Sequence, residues 1–225
     1  FILMAGWLLG IGEANPSDLY FQNRAAIFLG LGFALWLAVF PFHSWMPLLA
    51  KEAHPLPVGF ILSLLPTSVL LLALDFLNGF GWLRDTPQLY QVLLFAGTLM
   101  VVAGGLFAAV QKEISRILGF MVIFHIGYAL IAIGVNSLSG LLAFVGSLLP
   151  ALLSLIVFAI ALSVLIHQEV GFSHQDLRGL LHRYPFVAMG ILAAYASIGG
   201  LPLLALFPVR QEILELLAEK SFIFS

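Results

Sequence analysis

The chain has 225 residues, of which 62% are hydrophobic and 9% charged, with a formal net charge of −2 and a mean hydropathy of +1.10. A soluble globule needs roughly a quarter of its residues charged, so this composition excludes one and describes an integral membrane protein. The absence of cysteine removes disulfides, iron–sulfur ligation, thiolate metal sites and cysteine nucleophiles together, and the faintly acidic balance offers nucleic acid no basic patch.

Seven apolar segments follow in chain order, at 1–12, 25–42, 56–76, 89–110, 117–135, 138–167 and 185–207. A span needs about 20 apolar residues to cross the hydrocarbon, and in lipid only helices or closed barrels satisfy their own backbone. These runs lack the polar alternation of barrel strands. The expected fold class is therefore all-α, a polytopic transmembrane helical bundle forming one domain over 1–225. The first segment begins at Phe1 inside an apolar run, so the chain is expected to be a fragment of a longer polypeptide.

Three segments contain a proline, at Pro66, Pro150 and Pro202. Each removes one helical hydrogen bond and frees the carbonyl four residues earlier. Proline is common in membrane helices, and it also marks the broken helices of transporters. Ser63, Thr67 and Ser68 flank Pro66 and are candidates to re-bond that turn or to hold water. The stretch GWLLG at 6–10 fits a small-residue helix contact. Two segments, 167–185 and 208–224, mix charge with Leu and Phe and are expected to be interfacial, with solvated charges. If all seven segments cross, Lys51, Lys112, Arg116, Arg178 and Arg183 share one side and Arg24 and Arg84 the other, which makes the first side cytoplasmic.

Ionisable groups inside a span cost a few kcal/mol and raise a functional hypothesis by themselves. The deepest is His125, with Tyr128 three residues on along the same helical face. Two roles are open to His125: a neutral partner for a neighbouring helix, or a proton relay through its two nitrogens. Asp75 sits near a segment end, where a carboxylate reaches the interface. No phosphate loop, HExxH pair or nucleophile triad is present. No metal site, cofactor or redox chemistry is expected on this chain.

One polar run interrupts the apolar pattern, FPFHSWMPLLAKEAHPLP at 40–57. It is expected to be a tight interfacial connection with Trp45 at headgroup depth and Lys51 and Glu52 as a solvated pair. The run resembles the signature of antiporter-like subunits found in proton-pumping NADH:quinone oxidoreductase, membrane-bound hydrogenases and multi-subunit sodium/proton antiporters. Pro41, His43, Trp45, Pro47, Glu52, Ala53 and Pro55 match it, with His54 inserted before the last proline. The block at 109–135 is similar through His125, Gly127 and Tyr128, and the block at 197–216 through Gly200, Leu201, Pro202 and Phe207.

The resemblance implies the fifth to eleventh helices of a longer subunit, in an organellar inner membrane or prokaryotic plasma membrane. It implies partners that are other membrane subunits, the lipid bilayer and protons or sodium ions, with any quinone or nicotinamide chemistry on those other chains. It also implies a proton path through a buried line of Lys, Glu and His, with His43 as an entry point. The chain departs from that line: the seventh-helix Lys position falls on Pro66 or Thr67, and the eighth- and tenth-helix counterparts carry no charge. The family's fifth-helix Glu would precede Phe1; a Glu there and a Lys in the twelfth helix would favour translocation, and apolar residues at both would favour a structural subunit. Three functions follow as expectations: an ion-translocating subunit, a non-conducting structural subunit of the same complex, and a secondary carrier for a small solute.

Overall fold

The computed structural model describes residues 1–13, 19–168, 171–172 and 179–223. Every apolar segment forms a helix. In chain order these are α1 (Ile2–Glu13), α2 (Leu19–Trp36), α3 (Trp45–Glu52), α4 (Pro55–Gly79), α5 (Gly81–Arg84), α6 (Pro87–Val110), α7 (Ile114–Gly134), α8 (Leu138–His167), α9 (Leu180–Arg183), α10 (Pro185–Gly199) and α11 (Phe207–Ile223). Four of them, α4, α6, α7 and α8, are long and apolar enough to cross a membrane by length and composition, and α10 is a shorter apolar helix.

The starts are written into the sequence. Pro55, Pro87 and Pro185 open α4, α6 and α10, where proline's missing N–H is no loss. His54, which interrupts the signature as an apparent insertion, caps α4: its Nδ1 accepts from the Leu56 N–H at 3.4 Å. Ser137 caps α8 by accepting from the Gly140 N–H at 3.0 Å.

α7 is the axis of the bundle. A helix apolar on all sides is a buried helix, and 83% of the α7 spanning window is inside the protein, against 22–39% for the other three spans. α6 lies antiparallel along it, with Leu94 against Gly134, Gly97 against Gly127 and Gly104 against Phe124. At the centre of this pair two glycines face each other. A Cβ on Gly97 would sit 2.7 Å from the Gly127 carbonyl oxygen, and one on Gly127 would sit 2.8 Å from the Gly97 oxygen. Without a hydrophobic driving force between helices in lipid, such close backbone approach is what van der Waals packing uses instead.

α4, α8 and α10 complete the bundle. Ser154 Oγ on α8 donates to the Pro150 carbonyl at 2.8 Å and meets Ser197 Oγ on α10 at 2.9 Å. Ser197→Ala is expected to destabilise α8–α10 packing by only about 0.6 kcal/mol, as interhelical hydroxyl bonds in membranes do, which a detergent-unfolding midpoint will register.

Three expectations change. Pro202 is not inside a helix: α10 ends at Gly199, Gly200 closes it at φ +75°, and Pro202 lies in the exposed connection that follows. The reason is local, because the Gly200 and Leu201 N–H groups turn back to the Ser197 and Ala196 carbonyls and end the helix first. The polar run at 40–57 is more than a connection. After a cis Phe40–Pro41 bond and a 3-10 turn over Phe42–Ser44, α3 packs on α7 with Met46, Pro47 and Ala50 buried. Trp45 Nε1 donates to the Leu35 carbonyl at 3.3 Å, tying α3 to the end of α2. Lys51 reaches Glu113 at 3.4 Å, closer than its 4.0 Å approach to Glu52, and Arg116 joins Glu113 at 3.3 Å. Of the segment expected to be interfacial at 167–185, residues 169–170 and 173–178 lie outside the described residues, and Leu180–Arg183 form the short helix α9.

Candidate functional site

The site is built where α4, α7, α8 and α11 meet. Pro66 sits inside α4 and leaves the Leu62 carbonyl without its helical donor. The neighbouring hydroxyls bond elsewhere: Ser63 Oγ donates to the Gly59 carbonyl at 2.6 Å, and Thr67 Oγ1 to the Ser63 carbonyl at 2.8 Å. Ser63 is buried and Thr67 half-buried on the inward face, whereas Ser68 faces outward and takes no part in re-bonding the turn. Opposite them is His125 of α7, 7% exposed. Ser63, Pro66, Thr67 and His125 border one cavity of about 10 Å³, closed by Leu148 and Ala151 of α8. That is about one water molecule's room, with polar groups on two helices around it.

The second half of the site comes from α11. Arg210 is 4% exposed, and its guanidinium lies 4.0 Å from the Tyr128 ring centroid and 4.8 Å from that of Phe124. Both rings belong to α7, and they meet edge to face with centroids 5.2 Å apart. His125 stands between them in sequence, so the imidazole and the cation are held by one turn of one helix. Gly200 makes room for the arginine stem, since a Cβ there would approach Arg210 Cδ to 2.6 Å. A desolvated cation over aromatic faces gains about 2 kcal/mol or more, which offsets only part of the cost of burying it.

Sequence reasoning missed Arg210 and assigned it to a solvated face of an interfacial helix. The signal was present. Leu206, Arg210 and Ile213 are all buried, a 4-then-3 spacing that places the arginine in the apolar stripe of α11 rather than opposite it. A second departure concerns His43. It is sandwiched between Phe40 (5.1 Å) and Phe107 (5.6 Å), its Nδ1 buried without a hydrogen-bond partner, in the turn before α3 and apart from the His125 cluster. The structure thus gathers Pro66, Thr67 and His125 around one cavity, sets Tyr128 against Arg210, links the Pro150 carbonyl to Ser197 through Ser154, and leaves His43 elsewhere. Pro41, Trp45, Pro47, Glu52 and Pro55 serve the 40–57 turn, α3 and the start of α4.

Residues 14–225 match the protein family described as "NADH:quinone oxidoreductase/Mrp antiporter, TM". The chain belongs to that family. Its relatives include NADH-quinone oxidoreductase subunit N of Pelagibacter ubique, 26% identical over 95% of this chain and 45% of that protein. Subunit N 2 of Solidesulfovibrio magneticus is 31% identical over 76% of this chain and 36% of its own length. NADH-ubiquinone oxidoreductase chain 2 of Marchantia polymorpha is 28% identical over 91% of this chain and 40% of its own. The chain therefore spans less than half the length of these relatives. Among solved structures, a chain of the archaeal membrane-bound sulfane sulfur reductase, a respiratory membrane complex, superposes with a TM-score of 0.80 over 95% of this chain and 43% of that one. At 21% identity that likeness establishes a shared fold. The resemblance read from the 40–57 run and the two later blocks is borne out, as is the all-α membrane bundle.

Proposed function

We propose that this chain is the middle part of a membrane-arm, antiporter-like subunit of a proton-translocating NADH:quinone oxidoreductase or related respiratory complex, and that it takes part in moving protons or sodium ions. The observation that carries the reading is a pair of buried ionisable groups at α7: the His125 imidazole of α7 facing the Pro66 gap of α4, and the Arg210 guanidinium of α11 stacked on Tyr128 one turn further along α7. In lipid such groups are costly and persist where a path uses them. His125 accepts and releases a proton through its two nitrogens, Ser63 and Thr67 orient water toward it, and the fixed charge of Arg210 sets the local potential.

A second reading has an observation of its own. α6 contains no Asp, Glu, Lys, Arg or His, and α8 has only His167 at its end, so the line of charges across this fold is interrupted. That favours a structural subunit that keeps the fold without conducting. Proton flux across vesicles holding the assembled complex separates the two. His125→Ala is expected to lower flux per complex by about tenfold, the equivalent of ~1.4 kcal/mol in a rate-limiting barrier. Unchanged flux with His125→Ala removes the histidine from any relay and leaves the structural reading.

A further inference from the structure

The His125 cavity shares one wall residue, Leu70 of α4, with a second and larger cavity of about 160 Å³. This one follows a seam. α1 and α2 close on a small core of their own, Ala5, Leu8, Ala25 and Leu29 with Leu83 of α5, apart from the main core around α7. The cavity lies between α2 and the bundle, lined there by α4 and α6 and by Leu130 and Ile133 of α7. Every residue bordering it is Gly, Ala, Val, Leu, Ile or Phe, so its side chains offer water no hydrogen bond.

Length and width decide what fits. Along α2 the cavity extends from Ala26 to Leu37, about 16 Å at the helical rise and close to the ~15 Å depth of one leaflet. On the spanning helices it keeps to one half of the membrane: Leu70 to Leu77 of α4, Leu89 to Ala96 of α6 and the last turns of α7. Leu83 of α5 borders the outer end, between Trp82 and Arg84, residue types that sit at the membrane–water boundary. A volume of about 160 Å³ over such a length is a slot, too narrow for a helix about 10–12 Å across, whether from this chain or from another. Among its lining residues only Gly30 of α2 and Val92 of α6 are exposed, so it opens sideways between those two helices.

The geometry points to one acyl chain of a membrane phospholipid as the occupant of this slot, with its methyl end at Leu70 and its ester end towards α5. A flexible hydrocarbon enters a narrow apolar channel that excludes a helix, and it gives the wall side chains the dispersion partners that a void denies them. Seated there, it joins α2 to α4 and α6 and backs Leu70, so that hydrocarbon rather than water stands behind the His125 cavity. The inference goes beyond the translocation reading: it rests on the membrane-spanning fold, and its test reads lipid rather than ion movement.

The full-length protein in its assembled complex is reconstituted in phosphatidylcholine vesicles in which part of the lipid carries a diazirine near the end of one acyl chain. Mild detergent then exchanges the lipid on outward faces, and the sample is illuminated. Labelled peptides containing Phe33, Leu74 or Leu93, all on the slot, are the expected product. Gly30 supplies the blocking variant, because it lines the slot and a Cβ there would meet nothing within 4 Å. Gly30→Phe is expected to cut the slot labelling at least about fivefold by steric exclusion, while Gly6→Phe, equally unobstructed but away from the slot, leaves it within about twofold. If Gly30→Phe does not assemble, the labelling pattern of the parent decides alone. Label confined to outward residues such as Phe95 and Leu106 overturns the proposal, and so does slot labelling that Gly30→Phe leaves unchanged. Slot peptides without label overturn it too, and assign the space to side chains of another protein segment.

Discussion

Gly127→Val is expected to separate α6 from α7 and lose the folded bundle. The added Cβ would lie 2.8 Å from the Gly97 carbonyl oxygen and 2.8 Å from the Val101 nitrogen, both backbone atoms of α6 that no rotamer can move. Overpacking a core usually costs about 1–3 kcal/mol because side chains shift to make room; here the helix itself has to move, so the loss lies at or above the top of that range. The effect extends beyond one pair, because α7 carries the packing of α3, α4, α6, α8, α10 and α11. The detergent-unfolding midpoint of purified protein checks it, with Gly127→Ala as the graded control. A valine variant with the parent's midpoint means that α6 and α7 do not approach this closely.

Arg210→Met is expected to lower proton flux per assembled complex by at least about tenfold, while Arg210→Lys stays within about threefold, differences of ~1.4 and ~0.65 kcal/mol in a barrier. Methionine keeps the length of the stem against Gly200 and the contact with Tyr128 and Phe124, so packing is largely retained and the charge is what disappears. Lysine keeps the charge but loses the planar stack and the fork. Normalising to intact complex separates this effect from any loss of assembly. Equal flux in the methionine variant removes the arginine's charge from the path.

The two predictions bear on different levels of the same helix. Gly127 sets how near α6 comes, and Phe124, His125 and Tyr128, within one turn of it, set what the bundle can hold at its centre. A fold that buries α7 so completely has few places for a charge, which is why the position of one arginine carries so much of the functional reading.

Helix class, the long apolar spans and the family were legible in the residues alone, whereas the seven marked segments became eleven helices among the described residues, with α2 and α10 ending at Trp36 and Gly199, before the expected limits. Long apolar runs must close their own hydrogen bonds in lipid, so composition dictated helices, and prolines and capping residues dictated where they start. The motif run at 40–57 named the family because its prolines, His43 and Trp45 stand at fixed spacing, a property of sequence that needs no contacts. Three features waited for the tertiary structure. Pro202 lay beyond a helix end that two turned-back N–H groups impose, Lys51 found its closer partner 62 positions away in Glu113, and Arg210 moved from an assumed solvated face to the buried side of α11. Hydropathy sums a segment and tells whether it can leave water; which face then meets α7, and with what opposite it, depends on neighbours distant in sequence. A single buried charge changes the sum very little and the energy a great deal, and for that reason only the packed bundle revealed it.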